Sequence, residues 1–160
     1  MSDGGQQVER ATEPNRSESP PQRRFAVLLH DHPIIHWDFL LENGATLRTW
    51  RLPRDPCRHD VMDAEEIAPH RPLYLDYEGP VSGGRGAVRR VAAGTTRVLE
   101  MTSGVLALDV ILSEAAPCGG VENIQWKRIR LTQVDGTQWQ FRIERGVHGE
   151  NQEIPGAGKD

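Results

Sequence analysis

Ile35-His36-Trp37-Asp38-Phe39-Leu40-Leu41-Glu42, followed by Asn43-Gly44 and then Thr46-Leu47-Arg48-Thr49-Trp50-Arg51-Leu52, is the stretch on which the fold turns. Side chains along a strand alternate between its two faces, so a period of two sorts them into a buried and an open set. Trp37, Phe39 and Leu41 fall on one face, facing a core, while His36, Asp38, Leu40 and Glu42 fall on the other. Asn-Gly between two such runs favours the tight turn that joins antiparallel neighbours. Pro53 and Pro56 then stop the return strand, because proline has no N–H to give a ladder.

The same texture extends in both directions. Further strands are expected at Phe25–Leu29, Ala87–Val91, Thr95–Thr102, Val105–Leu112, Ile124–Thr132 and Gln138–Glu144, the last two separated by Asp135-Gly136. In the final one Trp139, Phe141 and Ile143 share a face opposite Gln138, Gln140, Arg142 and Glu144. Only Asp60–Ile67 has a helical composition, and it is short. Many short strands joined by Gly and Pro turns make a sandwich or a barrel, so the class is all-β with at most one or two short helices.

The 160 residues suit one domain. Residues 1–23 are polar and read as a disordered tail, residues 147–160 as a flexible one, and 24–146 as the folded unit. No apolar run is long enough to span a membrane, and the N-terminus has no secretory apolar core, so a cytoplasmic protein with no membrane partner is expected. Two cysteines, Cys57 and Cys118, cannot form a disulfide framework or an all-cysteine zinc site and read as reduced thiols. The net charge of −4 excludes a protein that coats nucleic acid through bulk positive charge. Residues 24–146 hold 15 basic and 16 acidic side chains, so most of the excess lies in the tails and a local site for one phosphate end is compatible with it.

Chemistry concentrates in His30-Asp31-His32-Pro33-Ile34-Ile35-His36-Trp37-Asp38. His36 and Asp38, at i and i+2 on one strand face, lie roughly 6–7 Å apart at their alpha carbons, a gap two side chains can close on one ion. His30 ends the preceding strand, and a short loop can bring it, or His32, alongside. Two imidazoles and a carboxylate leave positions open for water or substrate, as a catalytic divalent site requires. The alternative is a hydrogen-bonded surface His–Asp pair. Downstream, Leu73 and Leu75 alternate with Tyr74 and Asp76 as in another strand, and His70, Arg71 and Tyr74 suit an anion such as phosphate. Gly83-Gly84-Arg85-Gly86 is either a plain turn or a nest of N–H groups for an anion. The P-loop, GxSxG and HExxH patterns are absent.

Three separated motifs, in order, resemble the 3′-phosphoesterase domain of bacterial DNA ligase D. That family has a strand ending in His, a Leu-His-Tyr-Asp-Phe-Arg-Leu-Glu run and a Ser-Trp-x-x-Pro-Lys-Gly-Pro segment. Here Ile35–Glu42 and Thr49–Pro56 correspond. Its Asp-His-Pro-Leu-x-Tyr-x-x-Phe-Glu-Gly signature resembles Pro69–Gly79, and its closing Trp-x-Leu-Ile-Lys strand loosely resembles Trp139–Glu144. The resemblance implies a compact β-barrel with a crescent groove, and a manganese (or other divalent transition metal) site acting on DNA 3′ ends. The family's activity removes a 3′-terminal ribonucleotide and then the remaining 3′-phosphate. Carried over, it makes His30, His36 and Asp38 metal ligands, places His70 and Tyr74 around the scissile phosphate, and gives Glu42 a supporting role. Arg54 stands where the family has Lys; with Arg71 and Arg85 it would hold phosphates.

One position departs from the family. Leu40 stands where the family carries an Arg that contacts the phosphate, a charge-assisted contact worth about 1.5–3 kcal/mol in hydrogen bonding. Arg71, Arg85 or Arg48 could replace it. The expected function is therefore a metal-dependent phosphoesterase on DNA 3′ ends (primer–template or single-strand overhang) in end repair, with ligase or other repair proteins recruited in trans. The alternative is a DNA-end-binding or protein-interaction module that keeps the barrel without the catalysis.

Overall fold

The computed structural model describes residues 22–113 and 125–146. Its elements are β1 (Gln22–His30), β2 (His36–Asn43), β3 (Thr46–Leu52), β4 (Val61–His70), a 3-10 turn (Pro72–Leu75), β5 (Gly79–Pro80), β6 (Ala87–Met101), β7 (Val105–Leu112), β8 (Trp126–Asp135) and β9 (Gln138–Arg145). β2 and β3 pair antiparallel with Phe39 opposite Trp50 and Asp38 opposite Arg51. The turn between them centres on Gly44-Ala45, one residue later than Asn43-Gly44, because Gly44 takes the positive φ of 66° that the first turn position needs. Gly136, φ 56°, does the same between β8 and β9.

All the pairings are antiparallel, and the strands run β1-β2-β3-β4-β9-β8-β7-β6, with β6 pairing back onto β1. That last pairing closes an eight-stranded barrel and leaves β5 as a short strand outside it. Closure removes the free edges that would otherwise invite pairing with another chain. The barrel interior holds Phe25, Phe39, Trp50, Phe141, Trp139 and Trp126, with neighbouring ring centroids 5.6–6.4 Å apart. A second, smaller cluster lies on the outer face: Ala26, Leu28, Leu40, Leu47, Leu75 and Val88, with Tyr74 and Tyr77 packed against it.

Several expectations need correction. Asp60–Ile67 is not helical. Met62 and Ala64 enter the barrel while Asp63 and Glu65 face out, and the segment is strand β4, paired on both sides with β3 and β9. Tertiary pairing overrides its helix-forming composition. The Leu73–Asp76 stretch is no strand; Pro72 opens a single 3-10 turn that drops Leu75 onto the outer cluster. Ala87–Val91 and Thr95–Thr102 are one strand, β6, because the small residues between them mark a crossing rather than a break. A Cβ at Gly94 would collide with the Ile111 carbonyl, so glycine lets β7 lie close. Cys57 is buried in the barrel and disulfide-bonded, not a free thiol; Cys118 lies outside the described residues. β1 begins at Gln22, two residues before the expected boundary. The rest of the expected tails, 1–21 and 147–160, lies outside the described residues. Among the described residues no helix is long and apolar enough to cross a membrane.

Candidate metal centre

The outer face of β1 and β2 carries the site. Register places His30 opposite His36 and Leu28 opposite Asp38. Ligand atoms of His30, His36 and Asp38 lie within 4.8 Å of one another. This is the trio that strand alternation brings to one face; His32 is outside it, its ring 6.5 Å from that of His30.

Each imidazole of the trio is aimed by a backbone carbonyl. His36 Nδ1 donates to the Ile34 carbonyl at 2.8 Å, and His30 Nε2 to the Arg85 carbonyl at 2.9 Å. A carbonyl only accepts, so these bonds fix the tautomers and leave His36 Nε2 and His30 Nδ1 as lone-pair nitrogens. The Arg85 carbonyl is held in place by the 81–87 turn. Asp31 accepts the Ala87 N–H at 2.9 Å there, and Gly86, φ 74°, has no room for a Cβ against Asp31 and His32.

His36 and Asp38 are buried, and His36 Nε2 faces Asp38 Oδ1 at 3.5 Å, too far for a hydrogen bond. Among the described residues five buried side-chain polar atoms lack a hydrogen-bond partner. Three are indole N–H groups of Trp50, Trp126 and Trp139; the other two are His36 Nε2 and Asp38 Oδ1. An orphaned lone pair and an orphaned carboxylate oxygen, buried side by side, cost free energy unless a third group satisfies both. A divalent transition metal fits that description. The Asp38 carboxylate holds the His36 imidazole above its ordinary pKa, against the opposing effects of burial and of the Arg51 charge.

A cavity of about 300 Å³ opens beside the trio, lined by His30, Asp38, His70, Arg71, Tyr74 and Arg85 among others. His70 Nε2 lies 4.0 Å from Asp38 Oδ2, its Nδ1 lies 3.3 Å from the Ala68 carbonyl, and its ring meets Tyr74 edge-on at 5.7 Å. Arg85 is braced against Ser82 through Nε, 2.8 Å from the carbonyl. The Arg71 side chain, exposed at the head of the 3-10 turn, makes no hydrogen bond or ion pair among the described residues.

Three expected residues lie elsewhere. Arg54 is exposed in the bend after β3 and lines neither this cavity nor the one beyond His36. Glu42 accepts the Arg24 N–H at 2.8 Å and so ties β1 to β2, away from the trio. Arg48 cannot replace the phosphate contact missing at Leu40: it forks onto Glu66 at 2.9 and 3.1 Å and lies over the Trp50 ring at 4.6 Å. Leu40 itself is fully buried in the outer cluster. Patterning alone does not single out Arg51, on the same face directly opposite Asp38. The signal that finds it is the two-residue turn, which fixes the register of the whole hairpin.

With this geometry in view, comparison with known proteins points one way. A family model described as the DNA ligase D 3′-phosphoesterase domain matches residues 28–144. The multifunctional non-homologous end joining protein LigD of Pseudomonas aeruginosa is 34% identical over 71 residues, which are 43% of this chain and 8% of that protein. The chain thus matches a small part of that relative's length.

Proposed function

Because the chain belongs to the DNA ligase D 3′-phosphoesterase domain family, we propose that it is a metal-dependent phosphoesterase acting on DNA 3′ ends, in end processing for non-homologous end joining. One observation carries the metal dependence: the buried, mutually facing and unpartnered His36 Nε2 and Asp38 Oδ1, with His30 completing the set. His30, His36 and Asp38 would hold a divalent ion such as manganese, which supplies Lewis-acid polarisation of a phosphate oxygen and neutralises charge as the P–O bond breaks.

The protein's own groups do the rest. The carbonyls of Ile34 and Arg85 keep both imidazoles oriented. His70 would act as general acid through Nε2, toward a phosphate or leaving oxygen beside Asp38, and Tyr74 against its ring limits the positions it samples. Arg71 and Arg85, on the cavity wall, supply positive charge to a bound phosphate. Leu40 favours a second reading, an end-binding module without catalysis, since its burial leaves no charge at that point of the face.

Release of inorganic phosphate from a 3′-phosphorylated primer–template in manganese separates the two readings. Phosphoesterase chemistry predicts release by the parent and a loss of at least 100-fold in His36→Ala and Asp38→Ala, the scale on which electrostatic stabilisation of a transition state is lost. Tight end binding with no release would support the module instead.

A further inference from the structure

A second cavity, of about 440 Å³, lies on the other side of His36, between β2, β3 and β4. Arg51, Asp63, Glu65 and Gln138 line it together with Pro33, Ile34, Ile35 and Pro53. We infer that Arg51 is a substrate-phosphate contact supplied by β3, and that this cavity receives the nucleotide carrying that phosphate. The inference rests on the phosphoesterase reading and extends it to a residue and a subsite.

The register puts Arg51 directly across from Asp38 on the same face of the sheet, where opposing Cβ atoms are about 4.5–5.5 Å apart. Arg51 is exposed and its side chain makes no hydrogen bond or ion pair among the described residues, although Glu65 faces it across β3 and β4. Of the other arginines near this face, Arg24 is committed to Asp76, Arg85 to Ser82 and Arg90 to the Leu75 carbonyl, while Arg71 lines the first cavity. A free guanidinium beside a metal-ligand set is suited to two-pronged recognition of a phosphate.

The rest of the cavity says what that phosphate is attached to. Ile34 and Ile35 are 75% and 58% exposed and, with Pro33 and Pro53, give an apolar wall against which a sugar or base can lie. Asp63 and Glu65 on the β4 side repel a second phosphate, so the cavity accepts one phosphate at its Arg51 end and an uncharged nucleoside beyond it. Its size suits one nucleotide, and it meets the metal centre at His36.

The test uses two oligonucleotides, one ending in a 3′-methylenephosphonate, which has no ester bond to break, and one ending in a 3′-hydroxyl. Their affinities for the manganese-loaded full chain are measured for the parent, Arg51→Ala, Arg51→Lys and, as a charge control on the far side of the barrel, Arg130→Ala. Arg51→Ala is expected to weaken binding of the phosphonate end about 10-fold or more and the hydroxyl end less than about twofold. Arg51→Lys should fall between, and Arg130→Ala should treat both ends alike, with melting temperature and manganese uptake as in the parent. A parent that prefers the phosphonate end, with an Arg51→Ala variant that prefers it equally, overturns the assignment of Arg51 alone. A parent that does not distinguish the ends overturns the phosphoesterase reading and this inference with it.

Discussion

At the scale of single residues, the outer face of β2 is divided between chemistry and packing. His36 and Asp38 are buried yet lack partners, whereas Leu40, next on the same face, is closed in by Ala26, Leu28, Leu47, Leu75 and Val88. Leu40 therefore has a structural role as well as a missing charge. Leu40→Ala should destabilise the protein by about 2–5 kcal/mol, the range for deleting a buried leucine, measured by denaturant unfolding. A cost below about 1 kcal/mol would mean the outer cluster is not a packed core. The side of β2 on which these residues lie was legible from alternation alone. The burial of Leu40 was not, because it depends on a 3-10 turn more than thirty residues away in sequence.

At the scale of elements, the β2–β3 hairpin and the 3-10 turn set the site's shape. The hairpin was readable because both strands alternate and its turn carries glycine; the register that brings Arg51 opposite Asp38 follows from that turn. The 3-10 turn resembles a strand in sequence, since leucines at 73 and 75 satisfy a period of two, while Pro72 and the outer cluster favour a turn. Arg24 ties it to β1 through Asp76 at 2.6 Å, and the hydrogen bond from Arg24 lowers the Asp76 pKa. A carboxylate with a lowered folded-state pKa contributes stability above its unfolded value, about 3.9, and loses that contribution as pH falls through the folded value. Both side chains are largely exposed, so the effect is small. Asp76→Asn should melt slightly lower than the parent at pH 6, with the gap narrowing as pH drops below about 4. A gap that widens on acidification would show that Asp76 has another role.

At the scale of the whole molecule, closure of the barrel between β1 and β6 holds still the face that carries His30, His36 and Asp38. His30 ends a strand paired on both sides, with His36 on one and Val88 on the other. The all-β class was legible from many short alternating runs. The closure was not, because β1–β6 pairing joins segments more than fifty residues apart, and two apparent strands had to be joined into β6 before it could form. A rigid scaffold with two unpartnered ligand atoms is preorganised for an ion. The most direct measurement adds manganese to the metal-free full chain while following bound metal and phosphate release from a 3′-phosphorylated primer–template together. The account predicts that both rise in parallel to about one manganese per chain, and that both are lost in Asp38→Ala. Full phosphate release in the presence of chelator, or undiminished release by Asp38→Ala, would contradict it.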